Sequence, residues 1–222
     1  MKKLLCLLMT IIILFTLAPT QSAEAATIKI SKTKATILVG ESINLKITGT
    51  TKSVKWTTSN KKIITITQKG AVTANKAGTA TITASVSGKK LTCKVTAKYD
   101  IDTMKNELYN WIVGDLWNDS FCDIYHYVED GKNAVGGKMN LDKAIANADK
   151  AMKQFDRYED FINSLNSKQY SDLKDSWGYI KDEINYLYNR IKEETPRSTD
   201  PTYEFEYQNF NEYMYDLMDE LS

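Results

Sequence analysis

The side chains that most often carry acid–base, nucleophilic or metal chemistry are thinly supplied in this chain of 222 residues, which has one histidine and three cysteines. His126, the lone histidine, stands between Tyr125 and Tyr127 with Glu129 close behind. As a general base or metal ligand it has no second imidazole to work with, which excludes multi-histidine metal sites. The reading adopted is a half-exposed ring on a helix flank. Asp115, Asp119 and Asp123 recur at four-residue steps, which puts three carboxylates on one helical face where they could collect a divalent cation. Residues 99–222 hold 26 acids, however, and such density lines up carboxylates by composition alone, so a solvated acidic face is expected. The sequence has no Cys-x-x-Cys, His-Glu-x-x-His or calcium-loop spacing. Gly136-Gly137 lacks the Gly-Lys-Ser/Thr ending of a phosphate loop and reads as a turn. No catalytic residue, cofactor or metal is expected.

The charge that does stand out is lysine. Residues 27–98 hold fourteen lysines and no arginine against one acid, Glu41, a formal charge of +13. Residues 99–222 hold 13 basic and 26 acidic residues, a formal charge of −13, together with all 13 tyrosines. A small domain at +13 carries a potential of several kT and attracts polyanions. Lys29, Lys46, Lys55 and Lys94 each alternate with apolar residues, so their amines must leave the sheet faces. Lys52, Lys61, Lys62, Lys89 and Lys90 crowd the ends of strands and turns. These nine lysines are the candidate polyanion contacts. An anionic cell-wall polymer is the expected ligand, and an extracellular protein or glycan is the expected partner of the tyrosine-rich half. Nucleic acid is not expected, because Trp56 is the sole aromatic of 27–98 and stacking needs several.

Two kinds of element must position these residues. In 27–98 apolar residues recur at every second position: Ile43, Leu45 and Ile47; Ala80, Ile82, Ala84 and Val86; Leu91, Cys93 and Val95. Glycines at 40, 49, 70, 78 and 88 punctuate the runs. This pattern predicts six or seven short strands in an antiparallel β-sandwich, with Trp56 as the plug between sheets. From Tyr99 the period changes to three and four. Leu173, Trp177, Ile180, Ile184, Leu187 and Ile191 form one ladder; Tyr203, Tyr207, Phe210, Met214, Leu217 and Leu221 form another. Leu141 to Leu165 forms a third with one weak rung, and the stripe of 101–129 drifts around Gly114. Asn140 reads as a helix cap, Thr195-Pro196 as a stop, and Asp200-Pro201 as cap and first-turn proline of a last helix. An antiparallel four-helix bundle is predicted over 99–222. The fold class is therefore multidomain β plus α, with the boundary near residue 99.

Specific runs carry a resemblance. Val39-Gly40-Glu41-Ser42, Val54-Lys55-Trp56-Thr57-Thr58-Ser59-Asn60, Gly70-Ala71-Val72-Thr73-Ala74 and Ala77-Gly78-Thr79-Ala80-Thr81-Ile82 together resemble the bacterial Ig-like group 2 (BIG2) family. The resemblance covers 27–98. It implies an Ig-like sandwich typical of bacterial surface and secreted proteins, adhesins among them, in which the module often serves as a spacer without chemistry of its own.

The N-terminus reads as a targeting segment. Met1-Lys2-Lys3 precedes the apolar run Leu4–Leu17, and Ala23-Glu24-Ala25 offers small residues for cleavage after Ala25. A run of 14 residues falls short of the roughly 20 that cross a membrane. A signal peptide over 1–25, no transmembrane segment in the mature chain and no sorting or lipid-attachment signal are expected. Cys6 leaves with the leader, and whether Cys93 and Cys122 pair is left open by their spacing. The resulting expectation is a secreted or cell-surface Gram-positive protein that binds without catalysis, noncovalently held at the wall. The competing readings are an enzyme acting on wall polysaccharide through bundle carboxylates and a purely structural spacer.

Overall fold

The computed structural model describes residues 26–222. The expected signal peptide at 1–25 lies outside the described residues.

Among the described residues nine strands precede the helices: β1 (Lys29–Ile30), β2 (Lys34–Leu38), β3 (Ser42–Asn44), β4 (Ile47–Thr48), β5 (Lys55–Thr58), β6 (Ile64–Ile66), β7 (Ala71–Ala74), β8 (Gly78–Val86) and β9 (Lys89–Lys98). They form a four-stranded sheet in the order β2-β9-β8-β5, a three-stranded sheet β3-β7-β6 and a short pair β1-β4. The alternation does what period two demands. Along β8 and β9, Ala80, Ile82, Ala84, Cys93, Val95 and Ala97 turn inward, and they close one core with Ile37, Leu45, Trp56, Ile64 and Val72. Trp56 is 5% exposed, as expected of a plug between sheets.

Two features depart from the predicted sandwich. The pair β2–β9 is parallel, Lys34 to Leu38 running beside Lys94 to Lys98, while the other pairs are antiparallel. Parallel neighbours need a long connection, and here almost the whole sandwich lies between the two strands. Ile43, Leu45 and Ile47 do not share one strand either. The chain changes sheets at Leu45, whose N–H donates to Gly70 O at 2.9 Å, so β3 joins one sheet and β4 another. Gly70 is needed there, since at φ +87° a Cβ would lie 2.3 Å from Leu45 O.

The helices are α1 (Ile101–Asn110), a π-helical stretch Trp111–Phe121, α2 (Cys122–Asp130), α3 (Leu141–Met152), α4 (Phe155–Ser164), α5 (Ser171–Glu193) and α6 (Gln208–Leu221). They share a second core that has no residue in common with the first. The drifting stripe of 101–129 has a physical cause. Between Trp111 and Phe121 the backbone is wound more loosely, with Cys122 N–H donating to Trp117 O, so the buried residues Trp111, Leu116 and Phe121 fall five apart. Gly114 does not break the rod.

The expected helix from Leu141 to Leu165 is two. It breaks at Lys153-Gln154, where Gln154 N–H donates back to Ala151 O, and the break turns Tyr158, Phe161 and Ile162 onto the core. In α3 the small residues Ala144, Ala148 and Ala151 face inward, leaving Leu141, Ile145 and Met152 half-buried. The alanines leave room for Trp111, whose indole N–H donates to Ala151 O at 2.9 Å. The last helix starts at Gln208, not near Pro201. Asp200 instead accepts from Thr202 N–H at 2.9 Å, and residues 203–207 follow without regular secondary structure. In that stretch Tyr203 and Phe205 are buried and alternate with exposed Glu204 and Glu206, a period of two inside a region read as period 3.6. Asn140 caps α3 as expected, its side chain accepting from Lys143 N–H. Among the described residues no helix is long and apolar enough to cross a membrane.

Candidate functional site

The outer face of the four-stranded sheet is built by register. Residues that alternate with the buried ones must face outward, and on β2, β9, β8 and β5 these are lysines, threonines, a serine and the half-buried Leu38. One row across the sheet reads Lys34, Lys94, Thr81; the next towards the helices reads Thr36, Thr96, Thr79. In the other direction come Thr92, Thr83, Thr57 and then Lys90, Ser85, Lys55. Lys34 and Lys94 are direct partners in neighbouring strands, where like charges repel at short range. An anion that bridges two such amines removes the repulsion and gains charge-assisted hydrogen bonds from both. The threonine hydroxyls between the lysine rows add neutral donors and acceptors on the same plane.

At the sheet's far tip the β8–β9 hairpin turns through Ser87 (φ 51°) and Gly88 (φ 74°). A left-handed pair is the turn that matches strand twist. Beside this turn Lys55, Lys89 and Lys90 border an open groove of about 750 Å³ with Ser53, Gln68 and Ser85.

The nine lysines singled out from sequence are all exposed, but the fold does not gather them. Lys55, Lys89, Lys90 and Lys94 share the four-stranded sheet and its tip. Lys29 lies on β1 and Lys46 in the β3–β4 connection, outside that sheet. Lys52 lies in the loop after β4, and Lys61 and Lys62 lie in the turn after β5. Lys34 and Lys98 belong to the face and were missed. Their own stretches alternate plainly enough; only the parallel pairing of β2 with β9 shows that they stand near Lys94.

The helical half neutralises little of this charge. Among the described residues, Lys76 is the one lysine of 27–98 in an ion pair, made with Asp160 across the joint between the halves. That carboxylate holds the Lys76 ammonium above its ordinary pKa, through the hydrogen bond first. Tyr99 packs edge-on against Phe161 at 5.7 Å beside it. An apolar hollow of about 390 Å³, bordered by Ala97, Tyr99, Leu165 and Tyr170, completes the joint.

The other candidates are dispersed. Among the described residues no group of three or more His, Cys, Asp or Glu side chains converges on a point that a metal could take, so Asp115, Asp119 and Asp123 do not form a cluster. Asp123 instead accepts from Ala134 N–H at 2.9 Å and ties down the 131–139 turn. His126 packs against Tyr125 with ring centroids 4.9 Å apart. Cys93 and Cys122 are both free thiols, Cys93 within the sandwich core and Cys122 half-buried on α2, and burial pushes both above the usual thiol pKa.

The strand order and its motifs define an immunoglobulin-like sandwich. The family model of the bacterial Ig-like domain (group 2) matches residues 24–95, and this part of the chain is a domain of that family. Among solved structures the chain is similar to an intimin mutant of EHEC O157:H7, at 21% identity and a TM-score of 0.29 over 32% of this chain and 46% of that one. It is also similar to domains 4 and 5 of the S-layer protein SbsC, at 19% identity and a TM-score of 0.26 over 32% and 50%. A third is a bacterial Ig-like-domain-containing GH10 xylanase from termite gut, at 16% identity and a TM-score of 0.28 over 69% and 48%. The chain spans about half the length of these structures. No curated protein matches.

Proposed function

We propose that this is an exported bacterial protein of the cell surface that binds without catalysing a reaction, its Ig-like sandwich holding an anionic wall polymer and its helical half presenting a partner-binding surface. On this reading the chain divides near residue 99 into two domains, and the helices form an antiparallel bundle. The observation that carries the proposal is the unneutralised lysine face. Lys34, Lys94, Lys98, Lys55 and Lys90 stand on one side of one sheet, and none of them meets a carboxylate within 4.0 Å among the described residues. A flat row of amines and hydroxyls suits a repeating phosphate or carboxylate chain better than a compact ligand. The family assignment of 24–95 supports a surface setting and leaves the ligand open.

The test is binding to purified wall polymer, rich in phosphate and stripped of protein, across a salt series. Retention at low ionic strength and release near physiological salt and above are expected, because screening shortens the reach of exposed charge to about 8 Å. The triple variant Lys34→Ala, Lys90→Ala, Lys94→Ala is expected to lose at least tenfold in affinity, while Lys29→Ala with Lys46→Ala changes it little. Equal losses from both sets would show diffuse attraction with no face behind it.

A further inference from the structure

The helical half carries a surface that its core does not use. Tyr179, Glu183 and Tyr186 follow one another along α5 at steps of four and three, hence on one side, and the two tyrosines are 60% and 45% exposed. From α6, Tyr213 stacks on Tyr179 with ring centroids 5.4 Å apart, and Asn209 donates to the Glu183 carboxylate at 3.3 Å. Glu206 borders the same hollow as Glu183 and Tyr186. It also borders an adjoining groove of about 630 Å³, whose walls include Glu129, Tyr203 and Glu204. Tyr203 is 2% exposed, and its hydroxyl has no hydrogen-bond partner among the described residues.

The exposed Tyr186 ring beside carboxylates suits an ammonium group, whereas the Tyr203 ring is already covered by the Arg190 guanidinium at 4.1 Å. The ring attracts it through its quadrupole, and the carboxylates supply opposite charge. Glu129, Glu183, Glu204 and Glu206 are in no ion pair among the described residues. The chain itself holds a matching surface in the sandwich tip with Lys55, Lys89 and Lys90. Geometry keeps the two apart within one molecule. The rod from Ile101 to Asp130 carries the acidic groove roughly 40 Å from the joint. The ten residues of β9 put the lysine tip roughly 30 Å from the joint within the sandwich. Both surfaces lie away from the joint and, among the described residues, no helix packs broadly on the sandwich, so the lysines that reach one molecule's groove must come from another.

We propose that the tyrosine–carboxylate surface of α5, α6 and the 203–206 stretch docks the lysine tip of a second copy, head to tail. Unlike surfaces meet, each pair leaves one of each kind free, and the association therefore extends into chains. The polymer reading above uses the same lysines, but this inference does not rest on it, and its test contains no polymer.

The experiment is sedimentation velocity on the chain from Ala26 onward, with circular dichroism to confirm that each variant is folded. The unaltered protein is expected to grow in mass with concentration at about 0.05 M salt and to become monomeric at about 0.5 M. A tip-neutralised variant (Lys55→Ala, Lys89→Ala, Lys90→Ala) and a groove-neutralised variant (Glu183→Gln, Glu204→Gln, Glu206→Gln) are each expected to be monomeric alone. Mixed in equal amounts they are expected to form a one-to-one dimer and nothing longer, since one intact tip meets one intact groove. Tyr186→Ala is expected to weaken self-association about tenfold. An unaltered protein that stays monomeric at low salt overturns the proposal, as does a mixture that stays monomeric. Capture of an oligolysine peptide by a chain that never self-associates would assign the surface to a different cationic partner, and also overturns it.

Discussion

Ser120 shows how one side chain can oppose the packing around it. It lies in the π-helical stretch, is fully buried, and its hydroxyl has no hydrogen-bond partner among the described residues. A buried hydroxyl without a partner has given up its water for nothing. Ser120→Ala is therefore expected to raise stability by about 1 kcal/mol, read as a higher denaturant midpoint at unchanged slope. A loss of stability would mean that a buried water satisfies the hydroxyl. Sequence offered no warning here, because a serine at a helix position is ordinary until its surroundings are known. The lysines behave oppositely. Their outward direction follows from alternation alone, as Lys55 and Lys94 show, but their company does not. Lys34 and Lys98 join the face through a pairing between strands at the two ends of the sandwich.

Among the elements, the turns of the sandwich carry the sharpest constraint. Gly70 and Gly88 both adopt positive φ, at +87° and +74°, but differ in what surrounds them. Around Gly88 there is nothing within 4 Å of an added Cβ, whereas at Gly70 that atom would meet Leu45 O at 2.3 Å. Gly88→Ala is expected to cost about 1 kcal/mol, the ordinary penalty of a left-handed backbone for a residue with a side chain. Gly70→Ala is expected to cost several times more and to loosen the change of sheets at Leu45. Thermal unfolding of the two variants side by side checks the order, and equal shifts would remove the steric argument. The helices teach a related lesson. The ladder of α5 was legible rung by rung from Leu173 to Ile191, because an α-helix buried on one side repeats regularly. The stretch Tyr203-Glu204-Phe205-Glu206 was misassigned, although its alternation was present in the sequence. Tyr203, Tyr207 and Phe210 also fit helical spacing, and only the packed core decides between two periods that share residues.

At the scale of the molecule, two cores without a common residue meet at a joint held by Lys76 with Asp160 and Tyr99 with Phe161. So few contacts are expected to couple the two cores weakly. Trp56→Ala is expected to destabilise the sandwich by about 3–5 kcal/mol. It is expected to leave the helical transition where it was, as followed by far-ultraviolet circular dichroism. A single transition that moves as a whole would show that the halves fold as one. The sequence alone determined the division of charge and the change of period near Tyr99, because composition and short-range spacing record which residues meet water. It determined the Ig-like character of the first half as well, through turn glycines and alternating runs that leave little choice of fold. Only the tertiary structure decided that β2 lies beside β9, that the first helical rod is wound loosely between Trp111 and Phe121, and that lysine tip and acidic groove both lie away from the joint. Those outcomes depend on contacts between residues far apart in the chain, where the free energy of packing chooses among arrangements that local pattern permits equally.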